Sequence, residues 1–470
     1  MERRRTAEVQ VRRDRACKTA ILLIRPPKIQ LGSPLKHFST SSRMTFVQLA
    51  RRTRNGRSSA LMTDHAAAAA STTDAPQIPA IAVPLLSLAA FGSGVSLRVT
   101  DPMLPQLATG FAVSLGDASL VITVFSIAYG LSQLFFGPVG DRYGKYFVIG
   151  CAALACAVTA LLCALAPGFG PLLGARLLAG ATAAAIIPLS MAWIGDVIPY
   201  HQRQPVLARF LIGQILGLAA GVLVGGLAAD AGNWRLPFML VALVFLAVGI
   251  ALLRLDRRLP ASARHTQRAE GPAWRRMLSE FGQVLSQGWA RRVLLAVFLE
   301  GAFLYGAFAF IASHVHHQFN LSLGAAGAMV MLFGLGGFAF ALGSATLVRR
   351  LGETGLSLWG GIVLALAFGT IGLAHDWWWA VPACFLAGLG FYMLHNTLQI
   401  HATQMAPERR GAAVSAFASC FFMGQSIGVG VAGMLVERIG TGRVMLAGAS
   451  GVLVVAVAFS AGLRRRTKPR

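Results

Sequence analysis

From residue 79 onward the chain is a nearly unbroken succession of apolar stretches about 20 residues long, separated by short polar or glycine-containing interruptions. A helix needs roughly that length to cross the hydrocarbon core of a bilayer. The stretches lie near 79–105, 118–139, 146–166, 170–194, 206–229, 235–253, 292–313, 324–347, 355–374, 378–400, 411–435 and 443–463. This predicts an all-α membrane protein with 12 transmembrane helices. Only 13% of residues are charged, against roughly 25% in a soluble domain, so a soluble fold is excluded.

The formal net charge is +24, which on a soluble chain would suggest nucleic acid. Its distribution says otherwise. The first 61 residues hold 15 Lys/Arg and three Asp/Glu, half of the net charge. This leader reads as a transit peptide, as a basic tail for anionic lipid, or as sequence upstream of a true start at Met62; 37 Arg against 5 Lys, the mark of GC-rich coding, favours the last. The remaining charge flanks the apolar stretches unevenly, with 22 Lys/Arg on the face that includes the C-terminus and five on the other. By the positive-inside rule both termini are cytoplasmic, and no nucleic-acid partner is expected. Five of six cysteines (Cys151, Cys156, Cys163, Cys384 and Cys420, but not Cys17) lie in apolar runs without metal-ligand spacing. They read as small core residues, and no metal or cofactor is expected.

The longest interruption, 254–290, divides the spans into two sets of six. Phe111-x-x-Ser-Leu-Gly116 recurs as Phe319-x-x-Ser-Leu-Gly324, Arg142-x-Gly144 as Arg350-x-Gly352, Leu178-Ala-Gly180 as Leu386-Ala-Gly388, and Pro199 as Pro407, all 208 residues apart. After a three-residue insertion, Gly213-Gln214-x-x-Gly217 matches Gly424-Gln425-x-x-Gly428. The repeat predicts two pseudo-symmetric six-helix bundles with a cavity between them. The domains follow as a leader and linker (1–78), an N-terminal bundle (79–253), a cytoplasmic central loop (254–290), a C-terminal bundle (291–463) and a basic tail (464–470).

Between the second and third spans stands Gly137-Pro-Val-Gly140-Asp141-Arg142-Tyr-Gly144-Lys145. It resembles the G-x-L-x-D-R-x-G-R/K signature of the major facilitator superfamily, at the place where that family carries it. It is not a phosphate loop, because Val139 replaces the first glycine of that pattern and Tyr146 follows the lysine. The resemblance implies that Gly137, Asp141, Arg142, Gly144 and Lys145 form a cytoplasmic latch. In it Asp141 faces the positive start of the eleventh span, around Arg409 to Gly411, while the cavity faces outward.

Arg176-x-x-x-Gly180 resembles an element of the family's proton-coupled members, in which the arginine would stabilise nearby carboxylates or hold a substrate anion. The glycines at 213, 217, 221, 225 and 226 allow close helix packing. The family's antiporter form of this element has proline where Val222 stands. Arg98 and Asp101, three apart, predict an ion pair at the outer end of the first span; with Glu300 and Arg176 they are the candidates for proton coupling. Tyr392, His395, Asn396 and Gln399 form one helical stripe, with His401 beyond it. With Tyr129, Gln133, Gln214 and Gln425 the stripe suggests an uncharged hydrogen-bonding substrate cavity. His314, His316 and His317 read as an interfacial loop rather than a metal site.

No HExxH, GxSxG or paired-carboxylate pattern for a membrane enzyme occurs. The resemblance is strongest to the bacterial 12-span drug and arabinose-type efflux permeases, in stretches such as LHNTLQIHATQMAPERRGAAVSAF and RVTDPMLPQLA. It implies a monomeric secondary transporter of the bacterial inner membrane that exchanges a small organic molecule for protons, with the proton gradient as energy source. Proton-coupled uptake of a small metabolite is the alternative.

Overall fold

The computed structural model describes residues 78–264 and 273–467; the basic leader, and with it the proposed start at Met62, lies outside them. Among these residues ten helices are long and apolar enough to cross a membrane. The helices are α1 Ala82–Arg98, α2 Leu104–Phe111, α3 Leu115–Ala118, α4 Leu120–Tyr143, α5 Lys145–Ala164, α6 Phe169–Ala183, α7 Ile186–Val197, α8 Tyr200–Asp230 and α9 Leu236–Asp256. They continue as α10 Ala261–Arg264, α11 Ala273–Ser286, α12 Gly288–Phe308, α13 Ile311–Phe319, α14 Leu323–Leu373, α15 Ala380–Gln404, α16 Arg410–Ile439 and α17 Thr441–Thr467.

Two expectations do not hold in the structure. The first apolar run does not form one helix, because Pro102 lacks an N–H and disfavours helical backbone before it. The chain turns through residues 99–103 and continues as α2, with Pro105 in its first turn. Arg98 and Asp101 therefore sit at an internal break rather than at an outer end. The three histidines are helical rather than in a loop, within α13. His314 is buried, its ring nitrogens bonded to Thr441 Oγ1 (2.8 Å) and the Ile371 carbonyl (3.0 Å).

The sequence repeat reappears as repeated backbone geometry. Gly144, between α4 and α5, has φ +95°, and Gly352, where α14 bends, has φ +63°; only glycine takes such angles at little cost. A Cβ on Gly144 would lie 2.8 Å from the Arg264 carbonyl oxygen, whereas one on Gly352 would meet nothing within 4 Å. Gly352→Ala is expected to cost about 1–2 kcal/mol from backbone strain alone, and Gly144→Ala more. Thermal unfolding in detergent measures both, and equal losses would contradict the added steric term.

The helix contacts repeat too. Gly180 of α6 packs on the Phe125 carbonyl of α4, and Gly388 of α15 on the Phe333 carbonyl of α14, at the same 208-residue offset. Gly213 and Gly217 of α8 meet the Ser87 and Phe91 carbonyls of α1; Gly424 and Gly428 of α16 meet those of Phe298 and Ala302 in α12, 211 residues on. At these six places a methyl group would overlap a backbone oxygen. Glycine thus sets the helix spacing.

Helix direction alternates along the chain, which defines two ends. The near end carries the turns at 144, 198–200, 352 and 405–409, and the far end those at 112–119, 231–235, 320–322 and 440. Helices α3 and α4 touch α16 from the far end to its middle, through Gly116–Gly433, Thr123–Ser426 and Gly130–Ser419. Helices α8 and α14 do likewise through Gly226–Leu323, Gly327–Val222 and Gly334–Ala219. Toward the near end the glycines of these helices stand free of neighbouring helices: a Cβ on Gly137 or Gly411 would meet nothing within 4 Å, and one on Gly343 only Leu347 of its own helix. The result is a cleft closed at the far end, with open space beside these glycines toward the near end. Helix α11, within the expected central loop, touches both α4 and α16 there.

Candidate functional site

The deepest part of the cleft is built around the break in α1. Arg98, the last residue of α1, and Asp101, in the turn, are both buried, and Arg98 Nη1 stands 3.4 Å from Asp101 Oδ2. Arg98 Nη2 donates to Gln425 Oε1 of α16 at 3.2 Å, and Gln425 Nε2 donates to Ser126 Oγ of α4 at 2.7 Å. The guanidinium lies over the Tyr305 ring of α12, 3.8 Å from its centroid, an arrangement that favours a desolvated cation. One arginine therefore joins α1, α12 and α16, and Gln425 adds α4. Asp101 Oδ1 is buried without a hydrogen-bond partner.

A second carboxylate lies across the cleft. Glu300 of α12 is fully buried, and its Oε2 is 2.8 Å from His395 Nδ1 of α15. Glu300 Oε1 has no partner. The His395 ring is packed by Phe391, Phe417 and Phe421, at centroid distances of 4.9, 5.4 and 4.7 Å. An unpartnered oxygen on a buried carboxylate is costly. A proton, or a donor group on a ligand, would relieve that cost.

Arg176 lies within electrostatic reach of Asp101 and is held in place by neutral groups. Its guanidinium donates to the Val121 carbonyl (3.1 Å), the Ser96 carbonyl (3.0 Å) and Thr100 Oγ1 (3.5 Å), and lies 4.1 Å from the Phe125 ring centroid. Its hydrogen bonds go to neutral oxygens beside the break in α1, so it braces that break against α4.

Of the expected cavity residues, Tyr129 and Gln133 are buried, with the Tyr129 ring 4.4 Å from that of Phe422 across the cleft. Tyr392 is half-buried and fills the space beside Gly337. Asn396 is half-buried and Gln399 is exposed. Gln214 is half-buried, with its backbone oxygen against Gly94. A cavity of about 20 Å³ remains among Arg98, Leu218, Val222, Tyr305, Phe333 and Tyr392, room for about one water.

At the near end Asp141 Oδ1 is 3.0 Å from Lys145 Nζ, which also reaches Asp196 Oδ2 at 2.7 Å. Arg142 lies over the Tyr143 ring, 5.2 Å from its centroid. The resemblance implied a different partner for Asp141, the start of α16; there Arg409 pairs instead with Glu280 of α11 at 3.5 Å.

The far end carries two carboxylates that the sequence reading missed. Asp230, the last residue of α8, accepts from the backbone N–H groups of Leu323 (2.7 Å) and Gly324 (2.8 Å) at the start of α14. Glu437 of α16 accepts from Gly116 N–H at 3.0 Å. The N–H donors lie in the two Ser-Leu-Gly repeats, and the accepting carboxylates in Gly226-x-x-x-Asp230 and Gly433-x-x-x-Glu437, 207 residues apart. That spacing was the available signal.

The family model described as Major Facilitator Superfamily matches residues 86–429. The uncharacterized MFS-type transporter YceJ of Bacillus subtilis (strain 168) is 24% identical over 359 residues, covering 74% of this chain and 87% of its own. The multidrug efflux protein YfmO of the same organism is 27% identical over 355 residues, covering 74% and 84%. Among solved structures, a POT family transporter in complex with 5-aminolevulinic acid superposes with a TM-score of 0.70 at 13% identity, covering 84% of this chain and 99% of that one.

Proposed function

The chain belongs to the Major Facilitator Superfamily of membrane transporters, and from that premise we propose that it exports a small organic molecule in exchange for protons by alternating access. The observation that carries this reading is the pair of buried carboxylates, Asp101 and Glu300, each with an unpartnered oxygen, in a cleft closed at one end. Protons and substrate would compete for, or be coupled through, that depth. Export rather than uptake draws on the similarity to the multidrug efflux protein. The small cavity beside Arg98 leaves the wider cleft, toward Asn396 and Gln399, for the body of a substrate.

Under this reading the chain crosses the bilayer twelve times, in two six-helix bundles. The broken pairs α1/α2, α3/α4, α6/α7 and α12/α13 each count once, and α14 counts twice across Gly352. The near end faces the cytoplasm of a bacterial plasma membrane, with both termini on that side, and the monomer is the working unit. The state described is open inward. On closing, Asp141 would leave Lys145 for the start of α16, where the space beside Gly411 is empty.

Inside-out vesicles from cells overproducing the protein test the reading, using compounds that such cells resist. Adding one should dissipate an imposed pH gradient, and Asp141→Asn, present at equal amount, should abolish the effect. Resistance without any gradient dissipation would count against proton exchange; normal dissipation by the variant would exclude the latch.

A further inference from the structure

Outside the cleft, a groove of about 180 Å³ runs between the near halves of α12 and α17. Its walls are apolar along Leu295, Ala296, Leu299, Val455 and Phe459, and its near end is basic. Arg292 lines that end, and the Arg466 guanidinium lies 4.7 Å from the Trp289 ring centroid. The helices run antiparallel, so both arginines come to one level while the apolar wall extends from Arg292 to Leu299, about 10 Å deeper. Trp289 Nε1 is buried there without a hydrogen-bond partner. The Trp289 ring packs on Phe459 and His401, and His401 Nε2 is 3.2 Å from Glu353, the acidic group of this neighbourhood.

Both helices are long and apolar enough to span a membrane, which puts the groove against lipid. A single amphipathic gradient, cationic at the membrane surface and apolar below, is complementary to a phospholipid of negative charge. We infer that this groove is a binding site for one anionic phospholipid. Its phosphate sits between Arg292 and Arg466, an acyl chain lies along Leu295, Leu299 and Val455, and the unpartnered Trp289 N–H is available to the headgroup. The exposed Arg291 and Arg465 add attraction at the same level. The assignment rests on membrane embedding alone and is independent of the direction or coupling of transport.

The test uses the full chain in nanodiscs of phosphatidylcholine doped with phosphatidylglycerol. Lipid retained after extraction into mild detergent is counted by mass spectrometry. The wild type should retain phosphatidylglycerol preferentially. Arg292→Gln with Arg466→Gln should reduce that retention by roughly fivefold per arginine, while Arg349→Gln with Arg350→Gln, an equal loss of charge elsewhere at the near end, should not. Ala296→Trp fills the groove and keeps both arginines; with an unchanged melting temperature it should also lose the lipid. The inference is overturned by equal retention of both lipids in the wild type, by equal losses in the two arginine pairs, or by full retention in Ala296→Trp.

Discussion

Asp101→Asn is expected to lower proton-driven exchange at least about a hundredfold, on the scale of a lost charged partner, while substrate binding persists. Asparagine keeps the shape of the side chain but removes its charge and its place for a proton. Arg98 would still hold Gln425 and stack on Tyr305, so the cleft wall stays in position. The substitution also leaves a buried arginine without its carboxylate, a change that costs about 3–5 kcal/mol in the general case. That cost could be mistaken for lost function. Arg98→Gln with Asp101→Asn separates the two, since the neutral pair should recover most of the melting temperature without recovering coupling. Glu300→Gln is the comparison across the cleft, where the amide oxygen still faces His395 at the 2.8 Å position. Proteoliposome currents as a function of pH read all three. An unchanged pH dependence in Asp101→Asn would assign the proton to Glu300, and unchanged dependence in every variant would remove both carboxylates from the mechanism.

What the sequence made legible depended on whether a residue's requirement was local. Arg142-x-Gly144 and Arg350-x-Gly352 were visible as a repeat because a positive φ admits little but glycine. The glycines at 180 and 388, and at 213 and 424, were visible because a carbonyl from the next helix leaves no room for a Cβ. Membrane-crossing stretches were visible because the bilayer sets their length. Partners distant in sequence were not. Nothing local shows that Arg98 would find Gln425, 327 positions away, or that Arg176 would bond to backbone oxygens rather than carboxylates. His314 looked like a loop residue because its partners, Thr441 and the Ile371 carbonyl, come from other helices. Helix α11 was hidden in a charged segment, although Phe281 and Val284 turn toward the packed core.

Asp230 and Glu437 illustrate the same limit, and their replacement is the second large effect. Read alone, each is a charge at the end of an apolar run. In the structure each crosses to another helix start, where a carboxylate meets unsatisfied N–H groups and the positive end of the peptide dipoles. Three charge-assisted bonds result, each worth about 1 kcal/mol at these partly exposed positions. Together they favour the closed far end by roughly 3 kcal/mol, on the order of a hundredfold in the equilibrium between conformations. Because all three bonds join helices that separate when the far end opens, Asp230→Asn with Glu437→Gln should shift the population toward that open form. Spin labels at Asn233→Cys and Asn320→Cys would report it as a longer distance distribution. Asp117→Asn is the matched control, since that carboxylate bonds Ser114 within its own turn (2.9 Å) and bridges nothing. A distribution unchanged in the double variant would mean that the close packing of Gly226 on Leu323 and Gly433 on Gly116 closes the far end by itself, with the carboxylates contributing only local caps.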